Sequence, residues 1–199
     1  MQETSFPDSW HPALEHSRFL RQLLSARQEL IDWLVANSDR PLTRKKMQEF
    51  LATEVTGDED GLKRSLRRLR QRVMAALMVR DLGGQAPLAE VVETMTLLAD
   101  ITTNHALDFL HHRLVAQFGE PLDHLGRPQR LLVIGMGKLG GRELNVSSDV
   151  DYIFIYPEDG ETAGTADGGR RIRSKTPCLR SPAMMVIREN RMASVRRSM

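Results

Sequence analysis

Residues 129–157 read QRLLVIGMGKLGGRELNVSSDVDYIFIYP, and the order of residue types in that stretch decides the fold class. Leu131 to Ile134 is a continuous apolar run, the pattern of a strand buried on both faces. Gly135, Gly137, Gly140 and Gly141 follow directly. Lys138 to Leu144 leaves room for about two helical turns. Asn145, Ser147 and Ser148 make a polar loop, and Tyr152 to Tyr156 returns to a strand pattern. Between loop and strand stand Asp149 and Asp151. The expected unit is a strand, a glycine turn, a short helix and a second strand, the beginning of a small mixed sheet.

The spacing of the two aspartates has a chemical reason. Alternate residues of an extended segment point to one side. Two carboxylates so placed can share hard cations, and magnesium prefers a few carboxylates together with phosphate oxygens. Such a pair suits a two-metal phosphoryl or nucleotidyl transfer. Glycines let the backbone approach a phosphate, and a helix N-terminus favours its charge. Asp149 and Asp151 are thus candidate catalytic and metal-binding residues, and Gly137, Lys138, Ser147 and Ser148 candidate nucleotide or phosphate contacts. For the two serines and Asn145, loop or capping roles are equally open.

Gly135, Gly137 and Gly140 after a strand also match the dinucleotide-binding fingerprint. That fingerprint needs a parallel crossover of a dozen or more residues. Only seven residues separate Gly141 from Asp149. Glu158 is the acid best placed for a ribose, but the crossover stays too short. A P-loop is excluded, because no GxxxxGK[ST] occurs.

Upstream, the apolar period is helical. Leu20, Leu23, Leu24, Leu30, Ile31 and Leu34 give a first helix, and Met47, Phe50, Leu51 and Val55 a second. Asp58 is a candidate N-cap for a third, whose stripe runs through Leu62, Leu66, Leu69, Val73, Ala76 and Leu77 to a stop at Gly83-Gly84. Leu88 to Leu98 predicts a fourth helix and Leu107 to Phe118 a fifth, ended by Gly119 and Pro121. The fold class expected is α+β: an all-α bundle, then the start of a nucleotidyltransferase-type mixed sheet, then a disordered basic tail. The domains expected are 1–12 as an N-terminal tail, 13–118 helical, 119–129 a linker, 130–172 the partial sheet domain, and 173–199 an aberrant or disordered basic tail.

Charge is unevenly spread. From Arg170 onward nine basic residues face one acid, whereas residues 1–169 carry a net −6. The high isoelectric point thus belongs to the tail and is no nucleic-acid footprint of the folded part. In the third helix Arg64, Arg67, Arg68, Arg70 and Arg72 could face nucleic acid or nucleotide phosphates. The ordinary reading is a solvated face paired with acids of neighbouring helices. His105, His111, His112 and His124 match no zinc spacing and read as surface or packing residues. Met74, Met78 and Met95 read as core fillers. The single cysteine, Cys178, allows no internal disulfide and fits a reducing compartment. The start shows no signal-peptide pattern and no apolar run approaches a membrane span, so a cytoplasmic protein with no membrane partner is expected.

The segment GMGKLGGRELNVSSDVDYIFIY resembles the nucleotidyltransferase signature of the glutamine-synthetase adenylyltransferase/adenylyl-removase family. RRLRQRVMAALMVRDLGG and TLLADITTNHALDFL resemble the helical region before it. The form ELNVSSD is similar to the first, adenylyl-removing domain of that bifunctional family. The resemblance covers roughly residues 19–172 and implies an N-terminal portion of a longer enzyme. It further implies phosphate attack on the adenylylated tyrosine of glutamine synthetase, giving ADP, with Mg²⁺ as cofactor and ATP/ADP as substrate or product. Glutamine synthetase, and by resemblance the PII signalling protein, are the implied partners, with no nucleic acid. The family's third carboxylate lies in a segment resembling Arg-Val-Asp-Met-Arg-Leu-Arg-Pro, which does not occur here. The expectation is therefore a truncated, possibly frameshifted copy with little activity and a partly exposed sheet. The alternatives are a non-catalytic helical interaction module with a degenerate nucleotide site, and a nucleotidyltransferase acting on RNA.

Overall fold

The structure, a computed structural model, describes residues 6–25, 27–54, 56–165 and 184–189, the last six as backbone. It divides into two compact units: Met1–Asn104 with Glu143–Val146, and His105–Arg142 with Ser147–Met199.

The first unit is helical. After a 3₁₀ turn at Asp8–Trp10 come α1 (His11–His16), α2 (Arg18–Ser25), α3 (Gln28–Asn37), α4 (Arg44–Thr53) and α5 (Glu59–Leu82). Helix α6 (Leu88–Phe118) begins in this unit and continues into the second. The segment around Leu20–Leu34 forms two helices rather than the one its period predicts, with Arg27 extended as the N-cap of α3. Local chemistry sets the ends. Ser17 Oγ accepts the Leu20 N–H at 3.1 Å, Thr43 caps α4 through the Lys46 N–H, and Asp58 Oδ1 accepts the Gly61 N–H at 2.7 Å. Glu59 and Asp60 add negative charge to the first turn of α5, where the helix dipole favours it. The expected stripe is buried at Leu62, Leu69, Val73, Ala76 and Leu77; Trp10, Leu20, Leu24, Leu34 and Met47 are buried in the same unit, and the 3₁₀ turn, α1, α3 and α4 lie against α5. Each such large side chain contributes roughly 1.5–3 kcal/mol by leaving water.

Two helices are expected between Leu88 and Phe118, but α6 is one continuous helix of 31 residues. The intervening polar residues are absorbed by the helix itself. Thr96 Oγ1 donates to Val92 O, Thr102 Oγ1 to Leu98 O, and Asn104 Nδ2 to Asp100 O, each at 2.8 Å.

The second unit carries β1 (Pro121–Leu122), β2 (Leu132–Gly135), α7 (Gly137–Gly140), β3 (Val150–Ile155), β4 (Glu161–Thr162) and β5 (Met184–Glu189). One sheet has the order β2-β3-β5, and β1 pairs separately with β4. All these pairs are antiparallel, where a mixed sheet is expected. A return strand that pairs antiparallel needs no long crossover, which suits the short stretch from Met136 to Asp149. In the stretch expected as a disordered tail, residues 184–189 form a strand, with Val150 opposite Glu189 and Ile155 opposite Met184. The rest of 173–199 lies outside the described residues.

Among the described residues the sheet is not covered on both sides. Leu132 and Ile134 are 55% and 45% exposed, so β2 is not the fully buried strand its apolar run suggests. The partial exposure expected of a small sheet with one short helix is what the chain shows.

Candidate functional site at the glycine turn

The register builds the site. Leu132 pairs with Ile155, Val133 with Phe154, Ile134 with Ile153 and Gly135 with Tyr152. Directly opposed residues share a face of the sheet. One face thus holds Val133, Gly135, Tyr152 and Phe154, and the other Leu132, Ile134, Ile153 and Ile155. Alternation along β3 puts Asp151 on the second, more open face and Val150, which is buried, on the first.

The glycines act through close approach and through backbone angle. A Cβ on Gly135 would lie 2.7 Å from the Leu139 side chain, and one on Gly140 would lie 2.6 Å from the Gly135 carbonyl oxygen. Bare backbone at both positions lets α7 lie directly against β2, with Leu139 buried between. Gly137 has φ +53°, in the left-handed region that a side chain disfavours. The turn so formed is one helical turn, Gly137–Gly140, rather than the two predicted, closed by Leu139 and Gly140 N–H groups donating to Met136 O.

Met136, the residue before the turn, donates its N–H to the Asp151 carbonyl at 2.9 Å. That bond brings the backbone of Asp151 to the entrance of the glycine turn. Asp149 precedes the strand and is exposed; Asp151 is half-buried. Lys138 lies exposed in α7. Ser147 is exposed in a turn, and Ser148 and Asn145 are half-buried, each with a polar or charged interaction of its own. The Met136 amide and the Leu139 anchor are absent from the sequence reading. Neither carries a chemical signature, since one is backbone and the other one leucine among many.

The donor set suits magnesium, which takes one or two carboxylates and fills its octahedron with water and phosphate oxygens. Among the described residues no group of three or more His, Cys, Asp or Glu is placed to hold an ion. An ion at Asp149 and Asp151 would therefore take most of its ligands from outside the protein.

The other candidates have structural partners. Glu158, the acid a dinucleotide site would need, accepts the His124 N–H at 3.0 Å and lies 2.7 Å from His124 Nδ1. The His124 backbone bond comes first among the causes that hold its carboxyl below the usual glutamate range. Its own N–H donates to Gln129 Oε1 at 3.2 Å. His111 lies 3.3 Å from Glu120, and His112 Nδ1 is 2.6 Å from Asp108 O. Among the described residues no helix is long and apolar enough to cross a membrane.

In the helical unit the arginine run separates into two groups. Arg68 and Arg72 converge on Glu29 Oε1 at 2.9 and 2.6 Å, and Arg68 also reaches Glu54 at 3.4 Å. Arg72 is buried rather than solvated, its guanidinium 4.5 Å from the Phe50 ring centre and 5.8 Å from that of Trp33. Arg64 and Arg67 are exposed and Arg70 half-exposed.

Comparison with known proteins agrees with the signature. The sequence model of the family described as glutamate-ammonia ligase adenylyltransferase matches residues 9–181. The bifunctional glutamine synthetase adenylyltransferase/adenylyl-removing enzyme of Aromatoleum aromaticum is 50% identical over 158 residues, 79% of this chain and 17% of the relative. That of Nitrosomonas eutropha is 50% identical over 157 residues, 76% of this chain and 17% of the relative. That of Burkholderia pseudomallei is 46% identical over 161 residues, 78% of this chain and 17% of the relative. The matched part of the chain thus spans about a sixth of the length of these curated relatives.

Proposed function

The chain belongs to the glutamate-ammonia ligase adenylyltransferase family, and on that premise we propose that its glycine turn and aspartate pair form an adenylyl-removing site acting on glutamine synthetase. The observation that supports this reading is the hydrogen bond between Met136 N–H and Asp151 O, which joins the backbone of one acid of the pair to the start of the glycine turn.

The reaction is a displacement at phosphorus. An oxygen of inorganic phosphate attacks the adenylyl phosphorus, the bond to the tyrosine oxygen breaks, and that oxygen takes a proton. ADP and the free tyrosine result. No side-chain nucleophile is required, so the chain's task is positioning and charge stabilisation. Asp149 and Asp151 would hold magnesium. When bound, it neutralises charge on the transferred phosphoryl group. Gly137 brings backbone close to the phosphate, and Lys138 adds a positive charge beside it. Ser147 and Ser148 offer hydroxyls to the nucleotide. PII is a regulatory partner on the same reading, and the compartment is cytoplasmic.

Binding of ADP or ATP to the 199-residue chain, followed by calorimetry with and without Mg²⁺, tests the site. The expected outcome is magnesium-dependent binding that disappears in Asp149→Asn/Asp151→Asn. Binding unchanged in that double variant would sink the reading and favour a helical interaction module. Because the Arg-x-Asp-x-Arg segment is absent, the chain by itself is expected to release little ADP from adenylylated glutamine synthetase.

A further inference from the structure

The exposed face of α5 carries a charge pattern that the proposed reaction does not use. Residues 61–80 hold seven basic residues and no acid, while the rest of residues 1–104 hold seven basic and fifteen acidic residues. The acids that reach this part of α5 are already engaged. Glu29 and Glu54 take Arg68 and Arg72, and Glu90 takes Arg80. Lys63 has Asp60 at 3.3 Å. No acidic partner of Arg64, Arg67 or Arg70 is found among the described residues. Arg67 Nε instead donates to the Lys63 carbonyl oxygen at 3.0 Å, which holds its side chain along the helix.

These arginines stand three residues apart on successive turns, so their side chains are neighbours. Six residues of helix from Arg64 to Arg70 rise about 9 Å. We propose that this face, Arg64, Arg67 and Arg70 with Lys63 beside them, docks a short carboxylate-rich segment of a partner protein.

Two features favour a short acidic peptide segment over a nucleic acid. The patch is about two turns long. The rest of the same unit is net acidic, so an extended polyanion running past the patch would meet like charge and lose what it gained. A carboxylate cluster of matching length meets only the arginines. Guanidinium groups also bind carboxylates in a bidentate fork, which adds geometric selection.

The test uses the full chain, a fluorescently labelled oligoglutamate peptide, and anisotropy at near-physiological ionic strength. Arg64→Glu/Arg67→Glu/Arg70→Glu is expected to weaken binding by about ten-fold or more, each exposed pair contributing modestly. The glutamine triple variant should fall between it and the native chain, and it carries the test if charge reversal impairs folding. Arg18→Glu/Lys45→Glu, elsewhere on the same unit, should stay within about two-fold of native, as surface charges off the patch act weakly. Binding unchanged in both triple variants would place the peptide elsewhere, on the basic C-terminal segment, and overturn the proposal. So would no binding by the native chain. A single-stranded RNA of equal charge that binds more tightly, and depends on the same arginines, would overturn the choice of partner.

Discussion

Glu29 shows how one exposed carboxylate can serve a buried cation. Arg72 is enclosed by Phe50 and Trp33, and Glu29 Oε1 is its carboxylate partner. The Arg72 hydrogen bond, with the charge of Arg68 next, holds the Glu29 pKa below its ordinary value of 4.5. The carboxylate therefore stabilises the fold fully above pH 4.5, and that contribution is lost as the pH falls through the lower folded-state value. Glu29→Gln should lower the melting temperature at neutral pH and flatten its decline under acid. An unchanged acid decline in melting scans would show that Glu29 contributes none of it. At the same scale one cap was readable in advance. Asp58 before an apolar stripe is an N-cap signal, and it caps α5. The burial of Arg72 was not readable, because charge pattern alone cannot distinguish a solvated arginine from one enclosed by rings supplied by α3 and α4.

Among the elements, α6 shows where local pattern misleads. Its apolar stripe weakens over Thr102–Ala106, which reads as a break. The helix continues because no glycine or proline interrupts it and its threonines bond their own turn. A long-range ion pair joins its first turn to the end of α5. Arg80 Nε meets Glu90 Oε1 at 2.6 Å and Nη2 meets Oε2 at 2.9 Å, with both side chains buried. Arg80 Nη1 also donates to Ser38 O at 3.2 Å, tying in the end of α3. Removing one member leaves the other charged and enclosed. Glu90→Ala should cost about 3–5 kcal/mol in urea unfolding, whereas Arg80→Met/Glu90→Leu should cost much less. Equal losses in the two variants would mean that the pair is not the source. The glycine turn belongs to this scale too, because Gly135 and Gly140 matter only once α7 lies against β2.

For the molecule as a whole, the uncovered face of β2 and β3 is the main liability. Leu132 and Ile134 are exposed beside Ile153 and Ile155, on a strand at the edge of its sheet. Exposed apolar edges invite association. Leu132→Ser/Ile134→Thr should reduce concentration-dependent light scattering while leaving the helical melting transition in place. Scattering that persists unchanged in the variant would locate the sticky surface elsewhere. The sheet's antiparallel pairing, the strand at 184–189 and the exposure of β2 are all properties of this scale.

By itself the sequence determined the helical period, the cap at Asp58, the glycine turn between two strands, and the family. Each rests on interactions among residues close in the chain or on a motif whose spacing is its chemistry. Only the tertiary structure decided that two predicted helices are one, that Arg72 is enclosed while Arg64 and Arg67 are not, and that β2 has an open face. Those outcomes depend on which distant side chains arrive to cover a surface, and a period of apolar residues records that a face exists without recording what lies against it.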